Sequence, residues 1–99
     1  MQQLRWLLEK TPRDPFLVYG VAMEFKKVGD ASRAIEHFDR TIEIDPGYAY
    51  AYYQKGQVQE STGDNEAAKR TYREGIEAAK KKGDAHAVGE IEAALSMLE

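Results

Sequence analysis

Cysteine is missing from this 99-residue chain, and tryptophan occurs once. Without cysteine there is no disulfide framework, no thiolate zinc site and no thiol nucleophile, a composition that suits a reducing compartment. No apolar run approaches the ~20 residues that span a bilayer. Met1–Lys10 also lacks the basic start and continuous apolar stretch of a signal peptide, so the expected location is the cytoplasm, with no membrane partner. Positive charge is short as well: 14 Lys and Arg stand against 17 Asp and Glu, a net charge of -3. That balance lacks the electrostatic footprint of phosphate binding, and nucleic acid is not an expected partner.

Convergent chemistry is equally sparse. The two histidines, His37 and His86, have no metal-ligand partner one helical turn away, and no glycine-rich phosphate loop is present. The acidic residues spread over what read as solvated faces. No catalytic residue, metal or cofactor is therefore expected, and the chain is read as a non-enzyme.

What is present is a period. Pro12 returns as Pro46, Gly29-Asp30 as Gly63-Asp64, Ala34 as Ala68, Phe38 as Tyr72 and Ile42-Glu43 as Ile76-Glu77, each at an offset of 34 residues. A repeat of this length marks a stacked array of helical hairpins, in which neighbouring units bury one another's apolar faces. The length fits one domain. Charged residues make up 31% of the chain against a usual share of about 25%, as thin helical layers require.

The repeating residues resemble those of the tetratricopeptide repeat family over nearly the whole chain. In the family's frame, residues 15–48 place Ala22, Phe25, Gly29, Ala34, Phe38 and Asp45-Pro46 at the signature positions, and residues 49–82 place Gly56, Gly63, Ala68 and Tyr72 there. Leu4, Leu7, Leu8-Glu9 and Pro12 look like the end of an earlier unit. The frame's fourth position holds Val18 in one unit and Tyr52 in the other, and its eleventh-position aromatic, Phe25, becomes Gln59. The resemblance implies an all-α, right-handed solenoid of about six antiparallel helices. Residues 1–14 would supply the second helix of a partial repeat, 15–48 and 49–82 two full units, and 83–99 a capping helix. It also suggests a small bacterial adaptor or scaffold.

Punctuation sets the helix boundaries. Asp14 before Pro15 reads as an N-cap followed by proline at the first helical position. Gly29, Gly63 and Gly83 read as stops, and the aspartates that follow them as starts. Lys80, Lys81 and Lys82 fall in a last turn, where cations suit the carbonyl end of the helix dipole. Ala22 with Ala34, and Gly56 with Ala68, are expected to face each other where the helices of a unit cross. Gly75 suggests a close approach by the last helix. That helix, Asp84–Glu99, carries Val88, Ile91, Leu95 and Leu98 as one apolar stripe, with Glu90, Glu92 and Glu99 outward.

The resemblance places partner binding on a concave face lined by the first helix of each unit. Phe16, Tyr19, Met23, Lys26 and Lys27 occupy the facing positions of the first unit. Tyr50, Tyr53, Gln57, Glu60 and Ser61 occupy those of the second, with Gln54 beside them. Rigid aromatic area with a polar tip suits a protein or peptide anchor, and the two lysines suit an acidic flank. The family's grip on a terminal carboxylate would fall on Tyr19, Met23 and Gln54, none of which supplies a positive charge. Homodimerisation is the alternative partner reading, through the concave face or through Leu4, Trp6 and Leu7 on an expected first helix, Gln2–Lys10.

Overall fold

The computed structural model describes residues 13–99. Five helices follow one another: α1 (Pro15–Lys27), α2 (Ala31–Ile44), α3 (Ala49–Ser61), α4 (Asn65–Lys82) and α5 (Ala85–Ser96), with no strand among the described residues. The expected helix over Gln2–Lys10, with Leu4, Trp6 and Leu7, lies outside the described residues.

Each helical start but one is built by an aspartate. The Asp14 carboxylate accepts the backbone N–H groups of Phe16 at 3.0 Å and Leu17 at 3.4 Å, while Pro15 fills the position whose N–H would have no helical partner. Asp30, Asp64 and Asp84 accept from Arg33, Ala67 and Ala87 at 3.2, 3.2 and 3.1 Å. The glycine before each of these three has φ of +81°, +84° or +74°, a left-handed turn that costs glycine no Cβ clash. A Gly-Asp pair thus ends one helix and opens the next. At α3 the N-cap is Tyr48, which makes no side-chain cap. Asp45 instead braces the preceding turn by accepting from the Gly47 N–H at 3.0 Å.

Each helix packs on the next, and α3 also touches α1 and α5. Helices α1, α3 and α5 therefore share one layer, with α2 and α4 behind them. Val18, Val21, Ala22, Phe25, Ala34 and Phe38 form the core of the first hairpin. Tyr72, Ile76, Ala79, Ala87 and Ile91 are prominent in the core that joins the second hairpin to α5.

The two hairpins use the same positions with exchanged volumes. Val18 and the buried Thr41 of the first correspond to Tyr52 and Gly75 of the second. A Cβ on Gly75 would lie 2.6 Å from the Tyr52 Cβ and 3.3 Å from Ile91 Cδ1. The last helix does approach Gly75, as expected, but Tyr52 is nearer. At Gly56 the nearest neighbour is the ring of Tyr72. A Cβ there would meet the Tyr72 ring, with Cδ1 and Cζ both 2.7 Å away.

Helix α5 is shorter than its stripe. It ends at Ser96, so Leu98 packs from beyond the helix, while Ala87 and Ile91 are its fully buried residues. Glu92 and Glu99 are exposed, and Glu99 pairs with Arg73 at 2.8 Å. Glu90 departs from the expected outward face: it is half-buried and turns to α3, where the Tyr50 hydroxyl reaches it.

Candidate protein-binding groove

The face shared by α1 and α3 is organised around one contact made twice. The Tyr19 ring rests 5.7 Å from that of Phe38, and the Tyr53 ring 6.4 Å from that of Tyr72, the same pair one repeat on. Phe38 and Tyr72 are completely buried, whereas Tyr19 and Tyr53 are half-buried. A core ring of the second helix thus supports a surface ring of the first. Tyr48 stacks on Tyr19 at 5.0 Å, and Tyr50 meets Tyr53 edge-on at 6.4 Å. Such tilted and T-shaped pairs are favoured by the ring quadrupoles. Burial raises the pKa of Tyr19, with Tyr48 adding to the shift, and likewise that of Tyr48, with Asp45 adding. Both phenols stay neutral, able to donate and accept.

Beyond the rings the face turns polar. Lys26 donates to the side-chain carbonyls of Gln54 and of Gln57, the latter at 3.1 Å. Gln54 also hydrogen-bonds Tyr19, and burial lowers the Lys26 pKa. Glu60 accepts from the hydroxyl of Tyr72. The expected set is therefore only partly convergent. Tyr19, Lys26, Gln54 and Gln57 form one network, and Tyr50 and Tyr53 one ring pair. Met23 is half-buried against the core of the first hairpin. Lys27 and Ser61 are exposed, and Phe16 is 69% exposed. Lys26 and Lys27 do not act as a pair, because neighbours on a helix point to different faces.

Tyr48, Glu90 and His86 were not singled out for this face from sequence. Tyr48 belongs to the turn before α3. Its signal was the Asp45-Pro46-Gly47 segment, which brings the chain back past Tyr19. Glu90 receives the Tyr50 hydroxyl at 3.4 Å and lies 2.5 Å from His86 Nε2. Together α3 and α5 enclose an open recess of about 330 Å³ lined by Tyr53, Gln57, Glu60, Glu90 and Met97 among others.

Elsewhere the residues resolve into structural roles. The His37 Nδ1 lies 2.8 Å from the Arg33 carbonyl, and its ring packs 5.1 Å from Phe25, far along the fold from His86. Lys82 reaches the Gly47 carbonyl at 3.3 Å and Asp45 at 3.8 Å, beside a recess of about 530 Å³ that also includes Pro46, Tyr52, Glu74 and Glu77. Among the described residues no group of three His, Cys, Asp or Glu could hold a metal ion, and no helix is long and apolar enough to cross a membrane.

A family model described as tetratricopeptide repeat matches residues 27–89. The chain belongs to the tetratricopeptide repeat (TPR) family. A TPR repeat-containing protein of Pseudomonas aeruginosa is 29% identical over 99 residues, covering 100% of this chain and 94% of its own. The solution structure of a TPR domain protein from Salinibacter ruber superposes with a TM-score of 0.83 at 36% identity, over 89% of each chain. The crystal structure of the TPR protein YrrB matches at a TM-score of 0.72 and 23% identity, over 94% of this chain and 48% of that one. The fold that the resemblance implied is thus the one found, an all-helical TPR fold.

Proposed function

We propose that this TPR chain is a non-enzymatic interaction module, an adaptor or scaffold of the bacterial cytoplasm, that holds a peptide or protein segment on the face of α1 and α3. The observation that carries the reading is the doubled support of Tyr19 on Phe38 and Tyr53 on Tyr72. A surface ring braced by a buried one has already lost most of its rotamer freedom, so a partner that covers it bears little ordering cost. Tyrosine in such a place supplies apolar area and a hydroxyl, the combination enriched at binding hot spots. YrrB, which shares the fold, is described as having an unusual peptide-binding site, and that supports a peptide groove on a stack of this kind.

The test is affinity capture from native lysate with quantitative mass spectrometry, comparing the wild type with a folded Tyr19→Ala/Tyr53→Ala variant. Specific loss of a captured protein is the expected result. An unchanged set of captured proteins would sink the groove reading.

A second reading, self-association, is favoured by Phe16. Phe16 is 69% exposed at the start of α1, and Leu4, Trp6 and Leu7 precede it in the sequence. Light scattering at micromolar concentration should then give more than the 11.2 kDa of one chain, and Phe16→Ser should reduce it.

A further inference from the structure

We propose that the groove reads one acidic side chain of the bound segment, an aspartate or glutamate, through Lys26 anchored between Gln54 and Gln57. This rests on the groove reading above and adds the chemistry of its partner.

Donor arithmetic carries the argument. A lysine ammonium has three N–H groups and accepts nothing, so both glutamines must turn their carbonyl oxygens toward it. Two of its N–H groups are then used, and the third has no protein acceptor among the described residues. Turning the Gln57 carbonyl to Lys26 leaves the Gln57 NH₂ directed elsewhere, and Gln57 and Lys26 together line an open recess of about 440 Å³ with Glu60 and Ser61. Glu60 is not the counterion. Its carboxylate accepts the hydroxyl of the buried Tyr72, and no carboxylate among the described residues forms an ion pair with Lys26.

The cation is thus held by neutral amides alone. A carboxylate entering the recess would accept from the free Lys26 N–H and from the Gln57 NH₂, two donors already in place. Exposed ion pairs are usually weak because two long side chains must be frozen to form them. Here the lysine is already fixed, and the new bonds would be charge-assisted. A monoanion fits better than a phosphate dianion, because Glu60 and Glu90 lie along the same face and the whole chain carries -3. Apolar residues of the segment would rest on Tyr19 and Tyr53 while its acidic side chain reaches Lys26.

The experiment uses the whole chain and a library of short peptides, acetylated and amidated so that no terminal charge remains. One position at a time is fixed as Glu, Gln, phosphoserine or Lys. Wild type, Lys26→Met and Lys26→Arg are compared after circular dichroism shows all three folded, with Lys26→Gln in place of the Met variant if that one unfolds. Wild type and Lys26→Arg should retain Glu peptides over Gln peptides by about tenfold, the scale of one charge-assisted hydrogen bond. Lys26→Met should lose that preference and keep the preference for aromatic and apolar residues. Equal retention of Glu and Gln, a Glu preference surviving in Lys26→Met, or stronger retention of phosphoserine would overturn the assignment and leave the groove standing. Retention of no peptide by the wild type would overturn the groove and this inference together.

Discussion

The Thr71 hydroxyl donates to the Gln59 side-chain carbonyl at 2.7 Å, in the place where His37 meets the ring of Phe25 one repeat earlier. Both pairs join the first helix of a hairpin to its second, and each residue lies 34 positions after its counterpart. One unit closes this junction with two rings, the other with a hydrogen bond. Gln59 is therefore a solved packing problem, with a partner that changed alongside it.

That pairing predicts a double-mutant result. Thr71 is 4% exposed, so Gln59→Leu alone strands a buried hydroxyl and should cost about 1–3 kcal/mol. Gln59→Leu with Thr71→Val removes donor and acceptor together and should recover most of that loss. Urea titrations of the two single variants and the double variant measure the coupling. Additive costs would show that the bond contributes nothing specific.

The glycines divide into two groups with opposite expected signs. A Cβ on Gly56 would collide with the Tyr72 ring, and one on Gly75 with the Tyr52 Cβ, an atom tied to the backbone of α3. Gly56→Ala and Gly75→Ala should each destabilise by about 1–3 kcal/mol through overpacking. Gly20 and Gly89 have nothing within 4 Å of the added atom. Alanine at either should stabilise by up to about 1 kcal/mol, the ordinary gain from replacing glycine in a helix. Thermal melts of the four variants should fall into those two groups. A stabilised Gly75→Ala would show that α3 and α4 can separate at little cost.

The volume exchange also predicts rescue. Since Val18 and the buried Thr41 hold in one hairpin the positions that Tyr52 and Gly75 hold in the other, and Tyr52 lies against Gly75, Tyr52→Val alone should open a cavity beside Gly75 and cost about 2–4 kcal/mol. Adding Gly75→Thr recreates the residue combination that the first hairpin buries as Val18 and Thr41. The double variant should melt higher than Tyr52→Val, and failure to do so would mean that Ile91 of α5, 3.3 Å from the added atom, sets the limit instead.

Much of this was legible in the chain, because signals that act within a few residues survive in sequence. The Gly-Asp pairs placed three helix boundaries, since positive φ and a capping carboxylate are local demands met by particular residue types. The twofold occurrence of tyrosine at positions 19 and 53 pointed to one face. Contacts across helices were harder to read. That Gly56 lies under Tyr72, that Gln54 and Gln57 both turn to Lys26, and that Glu90 faces Tyr50 depend on how α3 sits against its neighbours. Lys26 and Lys27 looked alike in the chain. The turn of the helix alone separates a half-buried, anchored ammonium from a solvated one.

High pH offers a probe of the buried ring beneath the groove. Burial is the largest cause holding the Tyr72 phenol well above its ordinary range, followed by its hydrogen bond to the Glu60 carboxylate and the charge of that carboxylate. Tyr52 is raised as well, by burial first and then by Glu74 and Asp45. The neutral phenol is therefore favoured in the folded state, whereas in the unfolded chain it ionises near pH 10. Below that pH the contribution to stability is complete. As pH rises above about 10 the unfolded chain loses a proton that the folded chain keeps, and stability falls until the folded phenol also titrates. Tyr72→Phe should cost about 0.5–1.5 kcal/mol at neutral pH through the lost hydrogen bond, and it should flatten the alkaline decline. The measurement is the urea midpoint of wild type and Tyr72→Phe between neutral pH and about pH 11, with the tyrosinate absorbance followed in parallel. An equally steep decline in both proteins would remove Tyr72 as its source and leave Tyr19, Tyr48, Tyr50 and Tyr52, whose phenols are also raised by burial, to account for it.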